Sequence, residues 1–318
     1  MPITRDMHRK KYIALYIIFS IAIIGCFGQQ DVTFSQYSFD KLLINPAYAG
    51  SSTWVVGSVK NRTQISKIEG IPQSNTFSFQ GPIQKKNIGL GAKVIHDKIA
   101  VTNRFIATGI FSYHIGFGKG KLSFGLEGGV INSNYNYDDL ERIIYDDPSL
   151  PVGKESVFIP DFSAAIYYQN EQFYVGGTAG HLVDSKALIP HFNSNQFYSQ
   201  AKNYYLMGGY FFEISRDAIL EPGFLVKYVH GAPVQADVNI LYTMIDKFSA
   251  GLSYRTGDAV IAMVKVDITK NLKIQYSFDY TLSPFSNYFS GNHEFGISYG
   301  IELLPPAAEK VIHPRYYF

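Results

Sequence analysis

Residue types able to do chemistry are present in this chain, but they do not converge. His96, His114, His181, His191, His230 and His293 are scattered. No serine or aspartate stands at a spacing that makes a nucleophile–base–acid set compelling, as a hydrolase would need. His114 and His230 close the expected ends of strands, where an amphipathic ring suits a membrane interface. The acidic run Asp138, Asp139, Glu141, Asp146 and Asp147 offers carboxylate oxygens for calcium. It lacks an EF-hand spacing and reads first as a solvated loop. Gly116, Gly118 and Gly120 sit in a turn with no helix after it, so they are no phosphate cradle. With Cys26 the only cysteine, neither a disulfide framework nor a cysteine metal site can form. The expectation is a protein without catalytic residues, cofactor or metal.

The elements that must position any site here are strands. In Asn271 to Leu282 the residues Leu272, Ile274, Tyr276, Phe278, Tyr280 and Leu282 alternate with Asn271, Lys273, Gln275, Ser277, Asp279 and Thr281. A period of two over a dozen residues describes a strand between two solvents. At about ten residues, with Tyr and Phe on the apolar face, it suits a tilted transmembrane strand. Composition agrees. Aromatics make up 15% and charged residues only 17%, while a mean hydropathy of −0.02 is far too polar for a bundle of membrane helices. A net charge of +2 without a basic block gives no reason to expect nucleic acid as a partner.

Fourteen alternating runs are expected, at about 53–61, 74–83, 87–97, 103–115, 120–131, 157–168, 171–180, 203–212, 219–230, 235–243, 247–255, 258–267, 271–282 and 291–301. Very short links alternate with long ones through the first half of the chain. That suits a barrel with tight turns on one rim and loops on the other. An even strand number puts both termini on the tight-turn rim, which is periplasmic in bacterial outer-membrane barrels. An open sheet of this size would leave edges and a greasy face unsatisfied. The fold class is therefore all-β, a transmembrane antiparallel outer-membrane β-barrel of about 14 strands. Lys121, Glu127, Lys247, Arg255, Lys265, Asp267, Lys273, Asp279 and Glu294 fall on its polar face. They imply either a charge-paired interior or a narrow aqueous passage.

Four regions follow. Residues 1–28 read as an export signal, with Arg5, Arg9, Lys10 and Lys11 before a short apolar core. Cys26 is either discarded with that signal or lipidated as the new first residue. Residues 29–52 form an N-terminal periplasmic or plug segment, 53–301 the transmembrane barrel, and 302–318 a periplasmic C-terminal tail. Pro305, Pro306 and Pro314 keep that tail out of a central strand.

The N-terminal segment carries the motif Phe34 to Gly50, FSQYSFDKLLINPAYAG. Asn45–Pro46 initiates a turn, because the residue before proline is pushed out of the helical region. Phe34, Gln36, Tyr37, Asn45, Pro46, Ala47, Tyr48 and Gly50 are the candidate site residues. Two roles stand open for them: a plug of the lumen or rim, and a docking surface for a periplasmic partner.

On this motif, on Gln29-Gln30-Asp31 before it, and on His293-Glu294 opening the last strand, the chain resembles the PorP/SprF family of Bacteroidota outer-membrane proteins. The strand pattern extends the likeness over essentially the whole mature chain. The resemblance implies a non-enzymatic role with the type IX secretion system. The chain would support export and surface anchoring of a secreted protein such as a gliding adhesin. Implied partners are outer-membrane lipid, the secreted surface protein and periplasmic secretion components. The reading from another class is a passive porin or a transporter of hydrophobic solutes.

Overall fold

A computed structural model describes residues 31–66, 70–83, 86–139, 152–184, 186–188, 197–282 and 289–303. The export signal, Gln29, Gln30, Cys26 and the tail beyond residue 303 lie outside them. So do Glu141, Asp146, Asp147 and His191.

Fourteen strands close into a ring. They are β1 (Trp54–Ser66), β2 (Gln73–Ile83), β3 (Ile88–Ile99), β4 (Thr102–Phe117), β5 (Gly120–Asn136), β6 (Lys154–Gln169) and β7 (Phe173–Gly180). Then come β8 (Asn203–Tyr210), β9 (Ala218–Val229), β10 (Gln235–Met244), β11 (Phe248–Arg255), β12 (Ala259–Asp267), β13 (Leu272–Thr281) and β14 (Phe289–Glu302). Each pairs antiparallel with its sequence neighbours, and β1 pairs with β14 from Trp54↔Glu302 to Ser66↔Phe289. That last ladder closes the ring, so the first and last strands leave no free edge at their seam. Among the described residues no helix is long and apolar enough to cross a membrane.

Pleating turns the sequence alternation into two chemically distinct faces. On β2, Ser74, Thr76, Ser78 and Gln80 are buried, while Phe77 and Phe79 are 46% and 43% exposed. On β14, Glu294 and Ser298 are buried between outward Phe295, Ile297 and Tyr299. Such an inside-out distribution is stable only where the outer medium is itself apolar.

Most strands run further than their alternating cores. β5 continues through Ile131-Asn-Ser-Asn-Tyr-Asn136 and β1 through Arg62 to Ser66, because ladder bonds propagate along paired polar residues as readily as apolar ones. Two readings change as a result. His114 lies inside β4 on its inward face, 5% exposed and bonded through Nδ1 to Ser123 Oγ at 2.7 Å, so it is no interface ring. Lys247 precedes β11 in the turn after Asp246 (φ 57°) and faces solvent. β8 breaks at Phe211, whose ring turns inward and whose N–H bonds Gln172 O at 2.6 Å; Phe212–Ser215 continues alongside β9.

The two rims differ. One is closed by the links 84–87, 118–119, 170–172, 216–217, 245–247 and 268–271. The other carries 67–72, 137–153, 181–202 and 282–288, together with shorter links. They are called here the turn rim and the loop rim. The core sits inside the ring, where Leu42, Ala47 and Ala49 are fully buried among Tyr167, Tyr174, Met207, Ile219 and Leu225.

Candidate functional site

The interior is occupied by the chain's own residues 31–52. This luminal strap is built from three short 3-10 turns, Gln36–Ser38, Lys41–Leu43 and Pro46–Tyr48. Its ends lie at opposite openings. Asp31 contacts His181 and Asn203, where β7 and β8 reach the loop rim. Gly50 lies over Gly89 at the turn-rim start of β3.

The upper part of the strap is held by charge. Arg62 reaches Asp279 Oδ2 at 2.7 Å and Glu294 Oε2 at 3.1 Å, and it donates to Ser35 Oγ at 2.9 Å. Ser35 donates from its N–H to Glu294 Oε2 at 2.8 Å and from its hydroxyl to Asp279 Oδ2 at 2.7 Å. Gln36 Nε2 donates to Glu294 O at 2.7 Å, and Tyr37 OH accepts from Asn239 Nδ2 at 2.7 Å. Arg255 closes the same region with a two-pronged contact to Asp237 at 2.9–3.1 Å. Lower down, Lys60 meets Asp40 at 3.1 Å and Lys41 meets Glu221 at 3.3 Å. Such pairs must form together, because one buried partner left alone is costly.

At the loop rim His181 stands between Asp161 (2.8 Å) and Asp31 (3.0 Å). Burial alone would lower the imidazole's proton affinity; the two carboxylates outweigh it and push its pKa up to about 10. Burial would raise Asp31, but the charge and hydrogen bond of His181 hold it well below the usual carboxylate range. The pair is therefore an ion pair at neutral pH.

The lower part is held by shape. Asn45 caps the third turn, accepting from Ala47 N–H at 2.9 Å, and Pro46 takes the first helical position. Its amide nitrogen also reaches Ile166 O at 3.1 Å and Gly177 O at 3.4 Å. A Cβ on Gly125 would lie 2.5 Å from Ala47 Cα, and one on Gly50 (φ +66°) would lie 2.5 Å from Gly89 Cα. Tyr48 packs edge-on against Tyr167 with centroids 5.5 Å apart, and Phe34 joins the same apolar cluster. The eight motif residues thus share one interior, and Gln36, Tyr37, Asn45 and Tyr48 meet partners more than a hundred positions away.

Arg62 carries no local signal, and only the inward parity of position 62 on a longer β1 points to it. Asp31 leads into the motif and His181 is one of the scattered histidines, but nothing local pairs the two. Among the described residues no cluster of three or more His, Cys, Asp or Glu could hold a metal ion. Of the acidic loop run, Asp138 accepts from Gly153 N–H at 2.8 Å, and the side chain of Asp139 lies outside the described residues.

A model of the family described as type IX secretion system membrane protein PorP/SprF matches residues 26–299. No curated protein matches the sequence. Among solved structures, the chain is similar to the CymD monoaromatic hydrocarbon channel at 11% identity. That match covers 89% of this chain and 96% of that one, with a TM-score of 0.51. It is also similar to the Ralstonia pickettii toluene transporter TbuX at 10% identity, covering 82% and 92% with a TM-score of 0.50. At such identity the likeness speaks to the barrel fold alone.

Proposed function

This chain belongs to the PorP/SprF family of type IX secretion system membrane proteins, and we propose that it serves secretion as a closed outer-membrane platform whose rims bind other proteins. In this reading it is non-enzymatic. It supports export and holds a secreted surface protein, such as a gliding adhesin, at the loop rim, while periplasmic components of the machine meet the turn rim. The observation that supports this is the filled lumen. Asp31 to Gly50 cross it from rim to rim and pair with its inward charges, which leaves the rims and loops as the surfaces for contact. A barrel that carries cargo through itself would not fix its interior with buried ion pairs costly to break.

Deleting the gene tests the proposal. Secretion and surface display of the client should fall while other outer-membrane barrels stay in place. Intact display and motility would refute it. The rival reading, a hydrophobic-solute transporter, is favoured by one feature of the wall. An apolar depression of about 580 Å³ opens on the lipid side around Ala250 and Ala262, bordered by Tyr242, Leu252, Tyr276 and Phe278. Uptake of a labelled aromatic hydrocarbon into proteoliposomes separates the two readings, and a transporter predicts uptake above that of empty vesicles.

A further inference from the structure

The outward face of β1–β6 changes chemistry row by row along the ladders. One row, Val59, Phe77, Val94, Ala107, Val130 and Pro160, is apolar throughout. The next row toward the loop rim sets Asn61, Asn75, His96 and Asn132 beside Phe105 and Phe158. The third, Thr63, Gln73, Lys98, Asn103, Asn134 and Ser156, is polar in every place. Neither of these two rows holds an aspartate or glutamate, and Lys98 is their one lysine. On the far wall the row nearest the loop rim on β11–β13, Tyr254, Val260 and Tyr280, stays apolar. The polar face therefore belongs to one sector of the barrel.

Strand length gives that sector its height. β4, β5 and β6 have 16, 17 and 16 residues, whereas β11 and β12 have 8 and 9. About 9–11 residues suffice to cross a membrane. The turn-rim links 118–119 and 170–172 are short, so the surplus stands on the loop-rim side. It is roughly five residues, or about 15 Å along the strand. In outer-membrane barrels that side faces out of the cell. The two polar rows thus stand above the acyl chains, among the lipid heads.

Their side chains hold one another in place. Thr63 Oγ1 donates to Asn61 Oδ1 at 3.2 Å, and Asn61 Nδ2 donates to Asn75 Oδ1 at 2.8 Å. Asn134 Nδ2 donates to Asn132 Oδ1 at 2.6 Å, and Asn132 Nδ2 donates to Ser156 Oγ at 3.2 Å. His96 Nε2 stands 2.7 Å from Asn103 Oδ1. Asn75 and Asn103 use their oxygens within the rows, which keeps their NH2 groups as donors for another acceptor. Fixed amides beside exposed rings suit a saccharide, whose hydroxyls both donate and accept and whose C–H face covers a ring. Phe105 and Phe158, 44% and 61% exposed, stand in the row with the amides. A bare phosphate head would call for several cations, and a charged protein surface for matching charges; the rows offer Lys98.

We propose that the raised outward face of β1–β6 binds the saccharide head of an outer-leaflet glycolipid. Asn75 and Asn103 donate to its hydroxyls, Phe105 and Phe158 are its platforms, and Lys98 meets an acidic substituent on the sugar. The lipid seats the tall side of the barrel in the outer leaflet.

The full barrel, purified in detergent, is incubated with rough-type lipopolysaccharide and washed, and retained lipid is counted by native mass spectrometry. The wild type should retain the glycolipid, and Asn75→Leu with Asn103→Leu should lower retention about fivefold or more. Phosphatidylglycerol added in parallel should be retained equally by both proteins. Core oligosaccharide, which has no acyl chain, should displace the glycolipid from the wild type. Tyr280→Leu on the far wall should behave as the wild type. Should the leucine pair fail to insert, Asn75→Ala with Asn103→Ala serves instead and should lower retention in the same direction. Retention unchanged in the variant pair overturns the proposal, as does an equal loss of phosphatidylglycerol, which marks a general change in the wall. Loss of a secreted protein from the surface with glycolipid retention intact overturns it as well, since the face would then be a protein site.

Discussion

Asn45 and Gly176 fit each other as a side chain and a gap: a Cβ on Gly176 would stand 2.7 Å from Asn45 Nδ2. The missing methyl lets the amide reach the carbonyls of Ile166 and Gly177. Gly176→Val should therefore push Asn45 out of its seat. Asn45→Ala should lose the turn cap and strand the buried carbonyl contacts, costing about 1–3 kcal/mol. Urea unfolding of the detergent-solubilised barrel measures both. If Gly176→Val matched the wild type, the strap would not need this contact.

Removing one side of the Arg62 cluster should be among the most damaging single changes. Arg62→Ala leaves Asp279 and Glu294 buried and facing each other, an expected loss of about 3–5 kcal/mol. The combination Arg62→Met, Asp279→Asn, Glu294→Gln should recover much of it, since it removes the charges together. A triple variant no better than Arg62→Ala would show that packing, not charge, holds the strap there.

The His181–Asp31 pair sets a pH window. His181 has a raised pKa, so its contribution is full below the ordinary imidazole value near 6.5 and is lost as pH climbs through about 10. Asp31 is lowered, so its contribution is present above the ordinary carboxylate value near 3.8 and is lost only as pH falls well below it. The groups facing the pair are Asp161, Asn203, Tyr205, Arg104 and Lys227. Amide exchange of residues 31–35, corrected for intrinsic pH dependence, should stay flat between about pH 5 and 6.5, speed up progressively from there to about pH 10, and level off above it. In His181→Asn it should already be fast at neutral pH.

With its strap in place the barrel should not conduct. Wild-type protein in planar bilayers should give no steady open current, whereas a variant lacking residues 32–50 should give discrete openings. A wild-type channel with a stable ohmic conductance would contradict the filled lumen.

The outer wall should obey the opposite rule from the lumen. Leu126 is 61% exposed on β5 toward lipid, so Leu126→Lys should cost up to about 2–4 kcal/mol, depending on depth. Thr108→Ala on neighbouring β4 faces inward and removes one hydrogen bond to Glu127 at 2.7 Å, a smaller loss. Folding into vesicles of defined thickness, followed by gel mobility with and without heating, ranks the two.

What the sequence determined by itself was local. Residues 271–282 announce a strand and its two faces, because the pleat forces neighbouring side chains to opposite sides whatever the strand pairs with. Fourteen such runs also imply closure, since an open wall would strand its edges. What only the tertiary structure decided was which inward residues meet. Arg62 lies 217 and 232 positions from Asp279 and Glu294, and Asn45 reaches carbonyls on β6 and β7. Alternation gives a face but not a height or a neighbour; those follow from the stagger of the closed ring and from a strap free to enter it. The choice between a charge-paired interior and a watery one was therefore invisible in the order of residues, and was made by the geometry that brings arginine, carboxylate and serine within 3 Å of one another.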